Sequence, residues 1–316
     1  MSEPLLTVTD LRLSFAGGHQ PMEGLRGVTL SISRGETVAL IGESGSGKSL
    51  LGAAIAGFWP STARLAGSIR LEERNLLALD EAEWEAIRGR DIAFAPQSAG
   101  LSLNPIRTAL FQVEEVFRRV RGLDRRASRR GALELLAEFG LDAAAARLYP
   151  HSLSGGMRQR VLIAIGIAAE PRLLIVDEPT KGLDDERRDD AIRLFARLRD
   201  RRPQLAILAI THDLALAERL CDRVGVLYAG MLVEDRSAAD FFRSPVHPYA
   251  EGLLAASPKR GLTPIPGAPP PPGALLPGCP FAPRCRKAQA ICAAERPPLR
   301  PRRDGNVLCH VAEACP

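Results

Sequence analysis

Gly42-Glu43-Ser44-Gly45-Ser46-Gly47-Lys48-Ser49 is the stretch from which the rest of the chain is read. It matches G-x-x-x-x-G-K-[ST] and sits where that pattern has a mechanism. Residues 37–41 (TVALI) upstream read as a fully apolar strand, and residues 50–58 downstream read as a helix. In that strand, loop and helix order the glycines let backbone N–H groups turn inward around phosphate oxygens. Lys48 reaches the β- and γ-phosphates and the Ser49 hydroxyl ligates Mg²⁺. The eight loop residues, with Leu50 next to them in the helix, form the candidate nucleotide-binding set.

Outward from the loop, residues 5–15 and 27–32 alternate apolar and polar side chains, as half-buried antiparallel strands do. From about residue 80 to 146 Leu and Ala recur at spacings of three and four, which predicts a helical insertion. Apolar strands return at residues 173–176 and 205–210, separated by an amphipathic stretch over 186–199. A parallel sheet with crossover helices follows, so the fold class is α/β with an antiparallel β subdomain. Beyond Ser257 prolines follow in quick succession, and an extended tail is expected there.

Two more elements carry chemistry. Residues 173–178 (LLIVDE) form an apolar strand ending in two carboxylates, so Asp177 can complete the Mg²⁺ shell while Glu178 faces the attacking water. His212 follows the strand at 205–210 and is placed to hydrogen-bond the γ-phosphate. Ser154-Gly155-Gly156, ahead of a helix read from Met157 onward, make a second anion-binding helix end, with Gln159 one turn in. One chain already has its own phosphate loop, so this second end is expected to serve the nucleotide of a partner.

Leu153-Ser154-Gly155-Gly156-Met157-Arg158-Gln159 resembles the signature motif of the ABC transporter ATPases. The resemblance implies a head-to-tail pair enclosing two nucleotides, each between one subunit's phosphate loop and the other's signature. Across about the first 250 residues it also implies roles for Phe15 as the aromatic stacked on adenine, Gln97 as the glutamine that senses Mg²⁺ and water, and Asp184 within Lys181-Gly182-Leu183-Asp184 as part of the D-loop. Ser98 departs from the family, which usually has an acidic residue there. On this basis residues 1–242 are expected to be the ATPase domain, with the helical subdomain at about 80–170, and residues 243–316 a C-terminal extension.

Residues 244–249 (SPVHPY) followed by Ile265-Pro266-Gly267 resemble the extension of oligopeptide, dipeptide and nickel importer ATPases. That narrower resemblance implies uptake of peptides, nickel or metal–chelator complexes. It also implies a second, different ATPase subunit, two membrane permeases and an extracytoplasmic substrate-binding protein as partners, with the chain peripheral at the cytoplasmic face of the membrane. Cys279, Cys285, Cys292 and Cys309 resemble a pattern that holds a [4Fe–4S] cluster in some members. Four thiolates also suit zinc, and free structural thiols are the third reading. The rivals are an ABC ATPase without transport and an iron–sulfur sensor on an ABC scaffold.

Composition agrees with a globular enzyme: 316 residues, 46% hydrophobic and 25% charged. The net charge of +5 is scattered, with no basic stripe interleaved with aromatics, so no nucleic-acid partner is expected. The longest apolar run, residues 161–169, is far short of the ~20 residues a spanning helix needs. Residues 1–10 lack a cationic stretch before an apolar run, and an intracellular chain is expected.

Overall fold

Alternating burial builds the first sheet. In the computed structural model β1 (Leu6–Phe15) pairs antiparallel with β2 (Met22–Ile32), matching Leu6 to Ile32 and Phe15 to Met22. Leu6, Val8, Leu11 and Leu13 of β1 are completely buried, while polar residues face out. β4 (Ala63–Leu71) pairs with the other edge of β1, and β5 (Arg74–Asn75) completes the order β2-β1-β4-β5. The structure describes residues 3–16, 22–97, 102–271, 274 and 276–312. Ser98 and Cys315 lie outside the described residues.

The chain divides into two compact units, one formed by the residues up to Leu79 together with those from Ile210 onward, the other by Asp80–Ala209. In the first unit β3 (Thr37–Ile41), buried at every residue, runs parallel to β9 (Arg223–Tyr228). β9 continues antiparallel into β10 (Met231–Ser237). The helix α1 (Lys48–Ile55) follows β3; it starts two residues before the expected position and stops at Ile55. The tail expected from residue 243 belongs to this same unit.

That tail is not merely extended. β11 (Leu299–Arg302) and β12 (Gly305–Leu308) form a hairpin, and β12 pairs with β10 through Glu234–Val307 and Arg236–Gly305. The extended tail expected beyond Ser257 thus includes a hairpin that joins the sheet. Pro301 sits in β11, the outermost strand of the order β11-β12-β10-β9, where a missing N–H donor costs no ladder bond.

The second unit holds α2 (Glu81–Ile87), α3 (Ala109–Arg119), α4 (Arg125–Glu138) and α5 (Gly155–Ala168). Val113, Phe117, Leu136 and Val161 on these helices are buried. The stretch read as purely helical also contains β6 (Ile92–Ala95), parallel to β7 (Leu173–Asp177). Only four residues long and fully apolar, β6 cannot be told from a helical segment by periodicity. α6 (Asp185–Arg201) and β8 (Ala206–Ile210) complete this part of the chain.

Candidate active site

In the first unit the phosphate loop leaves β3 at Gly42 and enters α1 at Gly47. Gly42 has φ +153, and a Cβ there would lie 2.2 Å from the Leu227 carbonyl oxygen. Gly47 takes φ +103 as the residue capping α1, with the Gly24 carbonyl 3.0 Å from a built Cβ. Both positions are therefore closed to side chains by geometry and by space. Lys48 is 7% exposed and turns back over the loop, donating to the carbonyls of Gly42 at 2.8 Å and Glu43 at 2.9 Å. Ser46 donates its N–H to Glu43 at 3.2 Å and accepts from the Gly230 N–H at 2.9 Å. Ser44, Gly45 and Ser49 face solvent, with Ser49 in the first turn of α1. A helix start, inward-wound backbone and one ammonium make a cradle for phosphate.

Glu43 differs from the expectation that it simply lines the nucleotide. Its carboxylate receives two hydrogen bonds from Arg284, and its N–H donates to the Tyr249 hydroxyl at 2.7 Å. Leu50 is half-buried against Gly24, whose missing Cβ leaves room for it and for the Phe15 ring. Phe15, half-buried at the end of β1, lies against the same glycine. His212 is exposed directly after Thr211, whose N–H donates to the Leu40 carbonyl in β3 at 3.0 Å. That bond ties the His212 turn to the strand feeding the loop. α7 (Leu214–Leu220) follows, capped by Asp213.

The second unit carries the other expected residues. Asp177, 4% exposed, ends β7. Glu178 comes next with φ +53, a left-handed backbone that costs an L residue of order 1–3 kcal/mol and that recurs at catalytic positions. Glu178, Gln97, Gly155, Gly156 and Gln159 line one cleft of 340 Å³. Ser154 caps α5, accepting from the Met157 N–H at 3.3 Å, so the helix begins at Gly155 rather than Met157. The Gln159 side-chain nitrogen is buried with no hydrogen-bond partner among the described residues. Asp184 caps α6 through the Arg187 N–H at 2.9 Å. Gln97 and Asp177 in this unit carry side-chain oxygens, the ligand type Mg²⁺ prefers.

The [4Fe–4S] expectation finds no support in the structure. Among the described residues no three His, Cys, Asp or Glu side chains are grouped as a metal ion requires. Cys309 is 5% exposed and packs with Val307, Ala312, Val246 and Val311, serving as a small apolar residue. Cys292 is also buried, and its carbonyl accepts the Cys279 N–H at 2.7 Å. Burial pushes the Cys279 thiol up to about 11 and raises those of Cys285 and Cys309. The hairpin and the Arg284 contacts tie the tail to the rest of its unit. Reading by residue type missed Arg284, Tyr228 and Tyr249, because no local pattern marks a side chain that acts 241 residues away.

The family described as ABC transporter matches residues 25–181, and the oligopeptide/dipeptide transporter C-terminal region matches residues 233–292. The oligopeptide transport ATP-binding protein AppD of Bacillus subtilis (strain 168) is 40% identical over 98% of this chain and 97% of its own length. The dipeptide transport ATP-binding protein DppD of the same organism is 37% identical over 97% and 94%. A dimeric, post-hydrolysis structure of the ATP-binding cassette MJ0796 with ADP and Pi superposes with a TM-score of 0.67 at 28% identity, covering 74% of this chain and 98% of that one. With an ABC cassette fold, a formed phosphate loop and end-to-end relatives of this kind, the chain is an ATPase that belongs to the ABC transporter family, in its oligopeptide/dipeptide ATP-binding branch.

Proposed function

We propose that this chain hydrolyses ATP to drive peptide uptake through an ABC importer. The observation that carries the reading is the presence in one chain of two anion-binding helix ends, the Lys48 cradle and the Ser154-capped signature. Lys48 and the loop N–H groups bind the phosphates, Phe15 stacks the base, and Glu178 polarises the attacking water. Gln97 orients that water and His212 bonds the γ-phosphate. Ser49, Asp177 and Gln97 would hold Mg²⁺, which would supply neutralisation of phosphate charge. Ser154, Gly155, Gly156 and Gln159 serve the nucleotide of a second ATPase subunit, which we take to be a different paralogue, with Asp184 at the same junction.

No helix among the described residues is long and apolar enough to cross a membrane. We infer a peripheral location against two permeases, with cargo delivered by an extracytoplasmic binding protein. The relatives' names favour oligopeptides or dipeptides over nickel or metal chelators, and we assign no iron–sulfur cluster. The test is transport by the purified assembly in liposomes. Labelled peptide should enter with ATP, and Glu178→Gln should keep nucleotide binding while cutting kcat by at least ~10²-fold. Near-normal hydrolysis by that variant, or uptake of nickel without peptide, would sink the corresponding part.

A further inference from the structure

The tail does more than pack on the first unit: it holds the phosphate loop. Glu43, the loop's second residue, is bonded through all three of its polar groups. Its carbonyl accepts Lys48 at 2.9 Å and the Ser46 N–H at 3.2 Å. Its N–H donates to Tyr249 Oη at 2.7 Å. Its carboxylate takes a forked pair from Arg284, Nη1 to Oε2 at 2.7 Å and Nη2 to Oε1 at 3.0 Å. Lys48, the residue that must meet the phosphates, is thereby held through a residue that two C-terminal side chains hold in turn.

Arg284 is built to stay in place. Its side chain is 5% exposed, its Nε donates to the Pro266 carbonyl at 2.8 Å, and Nη1 also reaches the Tyr228 hydroxyl at 3.2 Å. The guanidinium carbon lies 5.8 Å from the ring centres of both Tyr228 and Phe281. Phe281 in turn packs edge-on to Tyr228 at 5.3 Å. A bidentate pair with its guanidinium buried, between a tail and a loop so far apart in sequence, costs desolvation and fixes geometry.

We propose that Arg284 is a positioning residue for nucleotide binding: with Tyr249 it braces Glu43 so that the phosphate loop is pre-formed before ATP arrives. The proposal rests on the ATP-site reading above. If the brace keeps the loop in its binding-competent form, releasing it lowers the competent fraction and raises the apparent Kd in proportion.

The test uses the full chain and a fluorescent ATP analogue with Mg²⁺. Arg284→Met should raise Kd about tenfold, corresponding to a competent fraction near ~0.1. Glu43→Gln should raise it similarly, and the double variant should be no worse than Arg284→Met alone, because both cut one link. Arg284→Lys keeps charge without the fork and should fall between. In the assembled transporter KM for ATP should rise with kcat held within about twofold, since only ground-state and transition-state binding in common is lost. Lower melting temperature with unchanged Kd would overturn the brace and leave a purely structural pair. If Arg284→Met does not fold, Glu43→Gln, whose carboxylate is 28% exposed, decides alone: an unchanged Kd refutes the proposal. Failure of the unmodified chain to bind the analogue would defeat the ATP-site reading and the brace together, whereas binding that none of the variants weakens would defeat the brace only.

Discussion

The phosphate loop and the tail that reaches it are held together in opposite ways. Inside the loop the bonds are short-range: Lys48 to Gly42 spans six residues, and Ser46 to Glu43 spans three. In the tail they span the chain: Arg284 to Glu43 covers 241 residues, Arg26 to the Ala274 carbonyl 248, and Arg296 to the Arg26 carbonyl 270. Local bonds demand particular residues at particular offsets, such as Gly42 and Gly47. Long-range bonds demand only that a prebuilt surface present a partner. The loop should therefore be sensitive to its own residues, and the tail to the surface it docks on.

The strongest way to break that contrast is to remove the anchor of the tail. Phe281 is 3% exposed and packs against Tyr228 and Tyr249, each at 5.3 Å between ring centres. Phe281→Ala should cost ~3–5 kcal/mol, the range for deleting a buried aromatic. Urea unfolding of the full chain measures it. A loss below ~1 kcal/mol would mean that the aromatic cluster is not what docks the tail.

The same contrast explains what could be read in advance. β3, α1 and the loop were legible because their requirements are local: an apolar strand, glycines where a Cβ cannot fit, and a lysine at the helix start. Asp177 and Glu178 were legible as a strand end for the same reason, although the left-handed backbone of Glu178 was not. β6 was hidden in a helical stretch because four apolar residues have no period to betray them. The order of the tail was not legible, because prolines and cysteines mark no strand and no docking surface. The tail adds a hairpin to β10 and inserts Phe281 and Arg284 among buried tyrosines. Counting thiolates could not reveal that Cys309 packs with valines and an alanine.

A smaller effect tests the base of the tail by pH. His247 is 1% exposed at the start of α8 (Pro248–Ala255), where its Nδ1 accepts the Tyr249 N–H at 3.0 Å. Burial lowers its pKa from 6.5 to about 3. The folded state thus keeps the ring neutral while the unfolded chain takes up a proton below about pH 6.5. The associated stability is fully present above pH 6.5 and is lost as pH falls toward 3, at ~1.4 kcal/mol per pH unit. Near pH 5 this amounts to ~2 kcal/mol. His247→Asn keeps a capping acceptor without the titration. Its stability should be flatter than that of the unmodified chain between pH 6.5 and 5, and parallel curves would show that the ring does not stay neutral in the fold.

The smallest effect comes from a second ion pair on the same tail, three residues from Arg284. Lys287 Nζ meets Glu251 Oε1 at 2.7 Å, as short as the Arg284 contact, yet the two side chains are 55% and 40% exposed. Water screens both charges, and a flexible ammonium gives a single contact where the guanidinium gives two. Distance alone would rank the two pairs as equals, whereas burial ranks them far apart. Lys287→Ala should cost less than ~1 kcal/mol by urea unfolding. That small loss should shrink further in 1 M salt, where the screening length is about 3 Å. A cost matching that of Phe281→Ala would mean that exposed contacts also dock the tail, and the distinction between a buried brace and a solvated one would have to be abandoned.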